Sequence, residues 1–305
     1  MSPKLDEGQQ KALAKLRNGN ILCGGVGSSK SRTGLAYYFC KVCGGQINGK
    51  DHGLKSDYVP MLWPKDLYII TTAKKRDKRE WEDELNSFLL STNPEVSYYK
   101  EKVQVVVDSW NNIKKYEDVR DSFFIFDEQR VVGYGAWSRA FIKIAKLNQW
   151  IFLTATPGDC WMDYLSIFIA NGFYKNKRDF ENRHVVYSRY SKYPQVDRYI
   201  DDYFLSRLRD SILVNIEYEK PTVRHQEVIT ASYDRDAYKF LMTQRWNSKK
   251  KQPIKSISEL CYLLREVVNT DPSRIEEVIK VSEIHPRLII FYNFDYELEI
   301  LKNAK

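Results

Sequence analysis

The sequence predicts an α/β fold, a parallel sheet flanked by helices on both faces. Three observations carry this. Several short apolar runs end abruptly in small or polar residues. Their hydrophobicity is continuous rather than alternating, as in strands buried on both faces. Segments of helical character separate them, and such alternation places ligands at the carboxyl ends of the strands.

In chain order, the first run is NILCGG, Asn20–Gly25, which opens into a glycine-rich stretch. Residues Gly44–Lys65 interrupt the pattern with glycines and prolines, and are too long for an ordinary connection; they read as a surface insertion. LYIITTAKK, Leu67–Lys75, is the second strand, and KREWEDELNSFLL after it predicts a helix. VQVVVDSW, Val103–Trp110, and FFIFDEQR, Phe123–Arg130, are two more strands. WSRAFIKIAKL predicts a helix, and WIFLTATPG, Trp150–Gly158, a further strand. From about Glu217 the character changes. RDAYKFLMTQRW and SISELCYLLREVV read as helices around a basic loop, NSKKKQP. RLIIFYNF, Arg287–Phe294, predicts one more buried strand and DYELEILKN the start of a helix, as though a second α/β lobe begins.

Composition bounds the function. The chain has 305 residues, 43% hydrophobic and 29% charged, enough for a packed core. No run of eighteen apolar residues occurs, so no membrane partner is expected. Five cysteines without an apolar leader point to reduced thiols in a cytoplasm. A net charge of +8 permits a polyanionic partner without establishing one.

The stretch CGGVGSSKSRTG, Cys23–Gly34, matches the phosphate-loop spacing G-x-x-x-x-G-K-[ST] except that Ser29 stands where the second glycine belongs. Backbone N–H groups of Gly24, Gly25, Val26, Gly27, Ser28 and Ser29 can turn toward phosphate oxygens. Lys30 would reach the β- and γ-phosphates of ATP, and the Ser31 hydroxyl would coordinate Mg²⁺. The competing reading is a glycine turn before a helix. FFIFDEQR weighs against that reading. After a buried strand, Asp127 stands where a carboxylate can bind Mg²⁺ through water, and Glu128 can polarise a water for attack on the γ-phosphate. WIFLTATPGD then ends a third strand with hydroxyls at Thr154 and Thr156, which also suit a simple turn before proline.

In this order the motifs resemble those of superfamily 2 helicases and translocases, in the Swi/Snf-like branch and closest to helicases of tailed bacteriophages. GGVGSSKSRT is similar to motif I, DEQR to motif II and TATP to motif III. LDEGQQKAL resembles the upstream segment whose glutamine, here Gln9, contacts adenine. IITTAKKRDKREWEDEL is similar to motif Ia, GDCWMDYLSIFIANGFYKNKRDF to the stretch after motif III, and LIIFYNFDYELEIL to motif IV.

The resemblance implies a RecA-like P-loop lobe over residues 1–218, then linker helices and an incomplete second RecA-like lobe over 219–305. It implies that Lys30, Ser31, Asp127 and Glu128 carry ATP and Mg²⁺. Thr154, Ala155 and Thr156 would couple hydrolysis to movement, and Thr72 and Lys74 would lie on the DNA side. Binding would be to the DNA backbone with little sequence specificity, RNA being the other candidate strand, in a host cytoplasm if the chain is phage-encoded. Two departures stand out. Motif II reads Asp-Glu-Gln-Arg, and no Gln-x-x-Gly-Arg-x-x-Arg motif with its arginine finger occurs. The missing part of the second lobe is therefore an expected partner, and the chain alone is expected to hydrolyse ATP slowly. The alternatives are a non-catalytic ATP- or DNA-binding fragment, or another P-loop enzyme such as a kinase.

Other signals carry less. Cys40 and Cys43, with His52 downstream, read better as helix cysteines near a glycine turn than as a zinc site, which needs four ligands. The basic clusters Lys74–Glu80 and Ser248–Gln252 suit a solvated face as well as a phosphate backbone. Trp110, Trp137, Trp150 and Trp161 read as core.

Overall fold

The structure is a computed structural model, and it describes residues 4–47, 59–127, 135–217, 225–285 and 287–303. The chain divides into two compact units, Met1–Lys220 and Pro221–Lys305.

The first unit begins with helix α1, Glu7–Lys15, capped by Asp6, and strand β1, Ile21–Cys23. Helix α2, Lys30–Ala36, runs on into a π-helical turn, Tyr37–Val42. Strand β2 is Leu67–Thr71, and the short helices α3, Ala73–Asp77, and α4, Glu82–Ser87, follow. Strand β3, Val105–Ser109, passes directly into a 3₁₀ segment, Trp110–Tyr116. Then come β4, Phe123–Asp127, α5, Ala136–Leu147, and β5, Gln149–Thr154. Helices α6, Trp161–Ala170, and α7, Lys177–His184, precede a small antiparallel pair, β6, Val185–Tyr187, and β7, Val196–Tyr199. Helix α8, Asp202–Ile212, leads into β8, Leu213–Asn215.

Six strands form one parallel sheet in the order β3-β2-β4-β5-β1-β8. The continuous apolar runs are explained by burial on both faces. Phe123 and Ile125 of β4 and Ile151 and Leu153 of β5 pack with Leu22, Leu35, Leu85 and Phe88 on one side. Phe124, Phe126, Trp150 and Phe152, alternating with them, pack with Phe141, Leu165 and Phe168 on the other. That second layer is aromatic: Phe126 meets Phe141 edge-on at 4.8 Å and Phe124 stacks on Tyr68 at 4.8 Å.

The helix expected across KREWEDELNSFLL is interrupted. Arg79 adopts a left-handed conformation, φ 53°, and the turn it makes drops Trp81 into the core with Leu85 and Phe88. Of the insertion Gly44–Lys65, residues 48–58 lie outside the described residues. Its two ends are pinned: Gln46 bridges Val59, and the Tyr38 hydroxyl donates to the Lys65 carbonyl. Trp110 and Trp150 are core, but Trp137 is 37% exposed. Cys40 lies in the π-helical turn and Cys43 caps it, with Gly44 in a left-handed turn behind. Burial pushes the Cys40 thiol up to about 11.

The second unit contains α9, Arg235–Gln244, a minimal hairpin of β9, Trp246–Asn247, and β10, Gln252–Pro253, then α10, Ile257–Asn269, α11, Pro272–Ile284, and α12, Asp295–Asn303. The strand expected at Arg287–Phe294 is not formed. Ile289 and Phe291 are 84% and 92% exposed. A strand needs a neighbour to take its backbone hydrogen bonds, and no strand pairs with this segment among the described residues. The basic loop NSKKKQP is the turn between β9 and β10.

Candidate nucleotide site at the carboxyl edge of the sheet

Strand register brings the separated motifs together. Cys23, the last residue of β1, pairs with Thr154, the last of β5, while Leu153 pairs with Asp127, the last of β4. The glycine loop, the Thr-Ala-Thr turn and Asp127 therefore leave three neighbouring strands side by side, with β5 in the middle. At about 4.8 Å per strand, Asp127 stands about 10 Å from the start of the loop.

The loop is braced from within. The Gly24 N–H donates to the Thr154 carbonyl at 3.2 Å, extending the β1–β5 ladder by one step. The Ser28 hydroxyl and N–H both donate to the Gly25 carbonyl, at 2.8 and 3.2 Å. A Cβ on Gly24 would collide with the Ser28 hydroxyl, and Gly27 sits at φ +85°. Ser29, where the pattern expects glycine, is left-handed at φ 52°, ψ 44° and makes no capping hydrogen bond with its side chain. The position demands the conformation glycine adopts freely, and serine adopts it at a cost of about 1 kcal/mol. Gly25, Val26 and Gly27 face solvent, and Ser31 is half-buried in the first turn of α2.

Lys30 is buried and curls back over the loop, its ammonium donating to the carbonyls of Gly24 at 2.8 Å and Gly25 at 3.0 Å. Gln9 arrives at the same loop from α1. Its side-chain oxygen accepts from the Asp6 N–H at 3.1 Å in a capping box, and its nitrogen donates to the Ser28 carbonyl at 3.5 Å.

Asp127 is 1% exposed. The Thr71 hydroxyl donates to its Oδ2 at 2.7 Å and the Lys75 ammonium lies 3.1 Å from the same oxygen. Trp110 Nε1 donates to the Asp127 carbonyl at 3.1 Å. Glu128 lies outside the described residues. Thr71, Lys75 and Trp110 are site residues the motif reading missed. Thr71 comes into view only with the strand order, which sets the last residue of β2 beside the last residue of its neighbour β4.

Thr72 and Lys74 stand on the same edge but do not reach the carboxylate. The Thr72 hydroxyl caps α3 by accepting from the Lys75 N–H at 3.4 Å, and Lys74 is exposed with Lys78 and Arg79. Arg76 turns the other way, to Asp108 at 3.0 Å. Burial pushes the Asp108 carboxyl up, but donors from Asn112, Tyr116, the Ser109 N–H and Arg76 outweigh it and hold it at about 2. Behind the loop, Arg32 of α2 grips Glu84 of α4 with two bonds, at 3.0 and 3.1 Å. At the third strand end the Thr156 N–H donates to Thr154 Oγ1 at 3.1 Å, and Cys23 Sγ lies 4.0 Å from the Ala155 carbonyl.

A braced glycine loop with a buried lysine, facing a buried carboxylate across one intervening strand, fits a nucleotide phosphate chain with a divalent cation. Lys30 and the loop N–H groups could hold the phosphates, and Asp127 and Ser31 the cation. Among the described residues no group of three or more acidic, histidine or cysteine side chains suits a metal, and no helix is long and apolar enough to cross a membrane.

No family model matches the sequence, and no curated relative is found. Among solved structures, the chain is similar to the SWI2/SNF2 ATPase core of Sulfolobus solfataricus in complex with double-stranded DNA. The TM-score is 0.50 at 15% identity, over 99% of this chain and 70% of that one. A second similar structure is the Hef helicase domain of Pyrococcus furiosus, with a TM-score of 0.35 at 17% identity, over 61% of this chain and 41% of that one. The first likeness is one of fold: the parallel sheet and its helices have the RecA-like α/β architecture.

Proposed function

We propose that the chain is an ATP-dependent motor on nucleic acid of the superfamily 2 kind, with residues 1–218 its ATP-binding lobe and residues 219–305 linker helices and part of a second lobe. One observation carries the reading. The sheet sets a braced glycine loop with a buried lysine and a buried carboxylate on strands separated only by β5. In this reading Lys30 turns from the Gly24 and Gly25 carbonyls to the phosphates, Asp127 and Ser31 hold Mg²⁺, and Glu128 orients the attacking water. Bound Mg²⁺ would neutralise charge on the phosphates.

Gln9, beside Ser28, would meet a base stacked beyond the loop. The Thr154–Ala155–Thr156 turn, bonded to the loop through Gly24, would relay changes at the phosphates to the rest of the edge. Thr72, Lys74 and their basic neighbours on α3 would take a nucleic-acid backbone, DNA or RNA, through phosphates and with little sequence preference. The 305 residues contain no arginine-finger motif. Such an arginine is worth ~10³–10⁵ in turnover, so this chain on its own binds ATP and hydrolyses it slowly.

Two measurements test the reading. Fluorescent mant-ATP should bind the wild-type chain and fail to bind Lys30→Ala. A labelled duplex should bind with an affinity that falls steeply with salt and is equal for two unrelated sequences. No nucleotide binding by wild type, or strong preference for one sequence, would overturn it.

A further inference from the structure

The buried carboxylate assigned above to the cation already has a positive charge on it. Asp127 is 1% exposed, and a charge so buried needs a partner. Among the described residues a charged partner is Lys75, 3.1 Å from Oδ2, on a side chain itself only 20% exposed. The same oxygen accepts from Thr71. A divalent cation and this ammonium would therefore compete for one carboxylate.

The arrangement around Lys75 favours a swing of the side chain over a shift of the backbone. Its neighbour Arg76 is fastened to Asp108, and Thr72 caps the first turn of α3. Lysine carries its charge on a four-carbon stem with several rotamers, so it can withdraw while α3 stays in place. We propose that Lys75 is a built-in competitor of the divalent cation at Asp127, a positioning residue that sets how strongly nucleotide binding depends on metal. The proposal rests on the nucleotide-site reading. It adds that the side chain withdrawn from Asp127 belongs to α3, the helix that carries the exposed Lys74, so that metal loading is felt on that face.

The test is mant-ADP binding by the full chain, with Mg²⁺ and with EDTA, in wild type, Lys75→Met, Lys75→Gln and Lys75→Arg. In Lys75→Met the competing charge is gone, so affinity with Mg²⁺ rises about tenfold relative to affinity with EDTA, the scale of one charge-assisted hydrogen bond. Lys75→Gln, whose neutral amide perturbs packing less, moves in the same direction. Lys75→Arg, which keeps the charge, stays within about twofold of wild type. Equal changes with Mg²⁺ and EDTA, or no change in either, overturn the role of Lys75 while wild-type binding upholds the site. Failure of wild type to bind mant-ADP in both conditions overturns the nucleotide reading, and the proposal with it.

Discussion

The ammonium of Lys30 donates to the carbonyl of Gly24, six residues back in its own loop, at 2.8 Å. The lysine is thus both the loop's brace and its strongest candidate phosphate ligand. Replacing it by methionine keeps the stem and removes the charge. Two effects should separate. Stability in urea should fall by about 1 kcal/mol, the net worth of the lost hydrogen bonds. Affinity for mant-ATP should fall at least tenfold, since a charge-assisted contact to phosphate is lost outright. A variant that keeps wild-type nucleotide affinity would remove Lys30 from the site.

Ser29 is left-handed and contributes no capping bond. Its side chain therefore adds strain without a visible return within the loop. Ser29→Gly should raise stability by about 0.5–1 kcal/mol, the left-handed penalty less the added freedom of the unfolded chain. Nucleotide affinity should hold or improve. Ser29→Val, whose branched side chain resists this conformation, should do the reverse in both measurements.

Asp108 ties the 3₁₀ segment and α3 to the end of β3 through Asn112, Tyr116 and Arg76. Its carboxyl is held at about 2 against an ordinary 3.8, and its side chain is 12% exposed. A depressed folded-state value means stability that is present above the ordinary value and lost as pH falls through the depressed one. Asp108→Asn should therefore cost about 2 kcal/mol near neutral pH. Urea melts of wild type and variant should converge as pH drops from about 4 toward 2. A constant difference across that range would mean that packing, not charge, makes the contribution.

The sheet was largely readable from the chain because strands buried on both faces leave uninterrupted apolar runs. Five of the six, from Ile21–Cys23 to Gln149–Thr154, announce themselves so. The sixth, Leu213–Asn215, follows α8 without a break and so does not stand out. The order of the strands and hence the facing of Thr71 and Lys75 on Asp127 were not readable, because pairing is a long-range property. Thr72 and Lys74, which the motifs assign to a nucleic-acid face, each adjoin a side chain that reaches the carboxylate, Thr71 and Lys75. Arg287–Phe294 failed for the converse reason: its composition suits a strand, but a strand is made by its neighbours.

Gln9 commits both ends of its amide, the oxygen to the Asp6 N–H and the nitrogen to the Ser28 carbonyl. Contact with adenine would require it to release at least one. Gln9→Ala should lower stability by about 1 kcal/mol through the lost capping box. It should also bring ATP and GTP to equal affinity in competition against mant-ATP. A variant that still prefers ATP would place base recognition elsewhere.

In the second unit, Ile289 and Phe291 are exposed at 84% and 92%, beside the half-exposed Ile290 and Tyr292. Apolar side chains in that position contribute little to the fold that presents them, yet they leave an extended, unpaired segment open to association. Ile289→Asp with Phe291→Asp should thus leave the melting temperature within about 2 °C of wild type, since surface changes away from packed features are nearly neutral. Light scattering at high protein concentration should decrease, because the charges oppose edge-to-edge pairing. A large fall in melting temperature would mean instead that these two side chains are covered in solution, and that Arg287–Phe294 pairs there as the strand its sequence predicts.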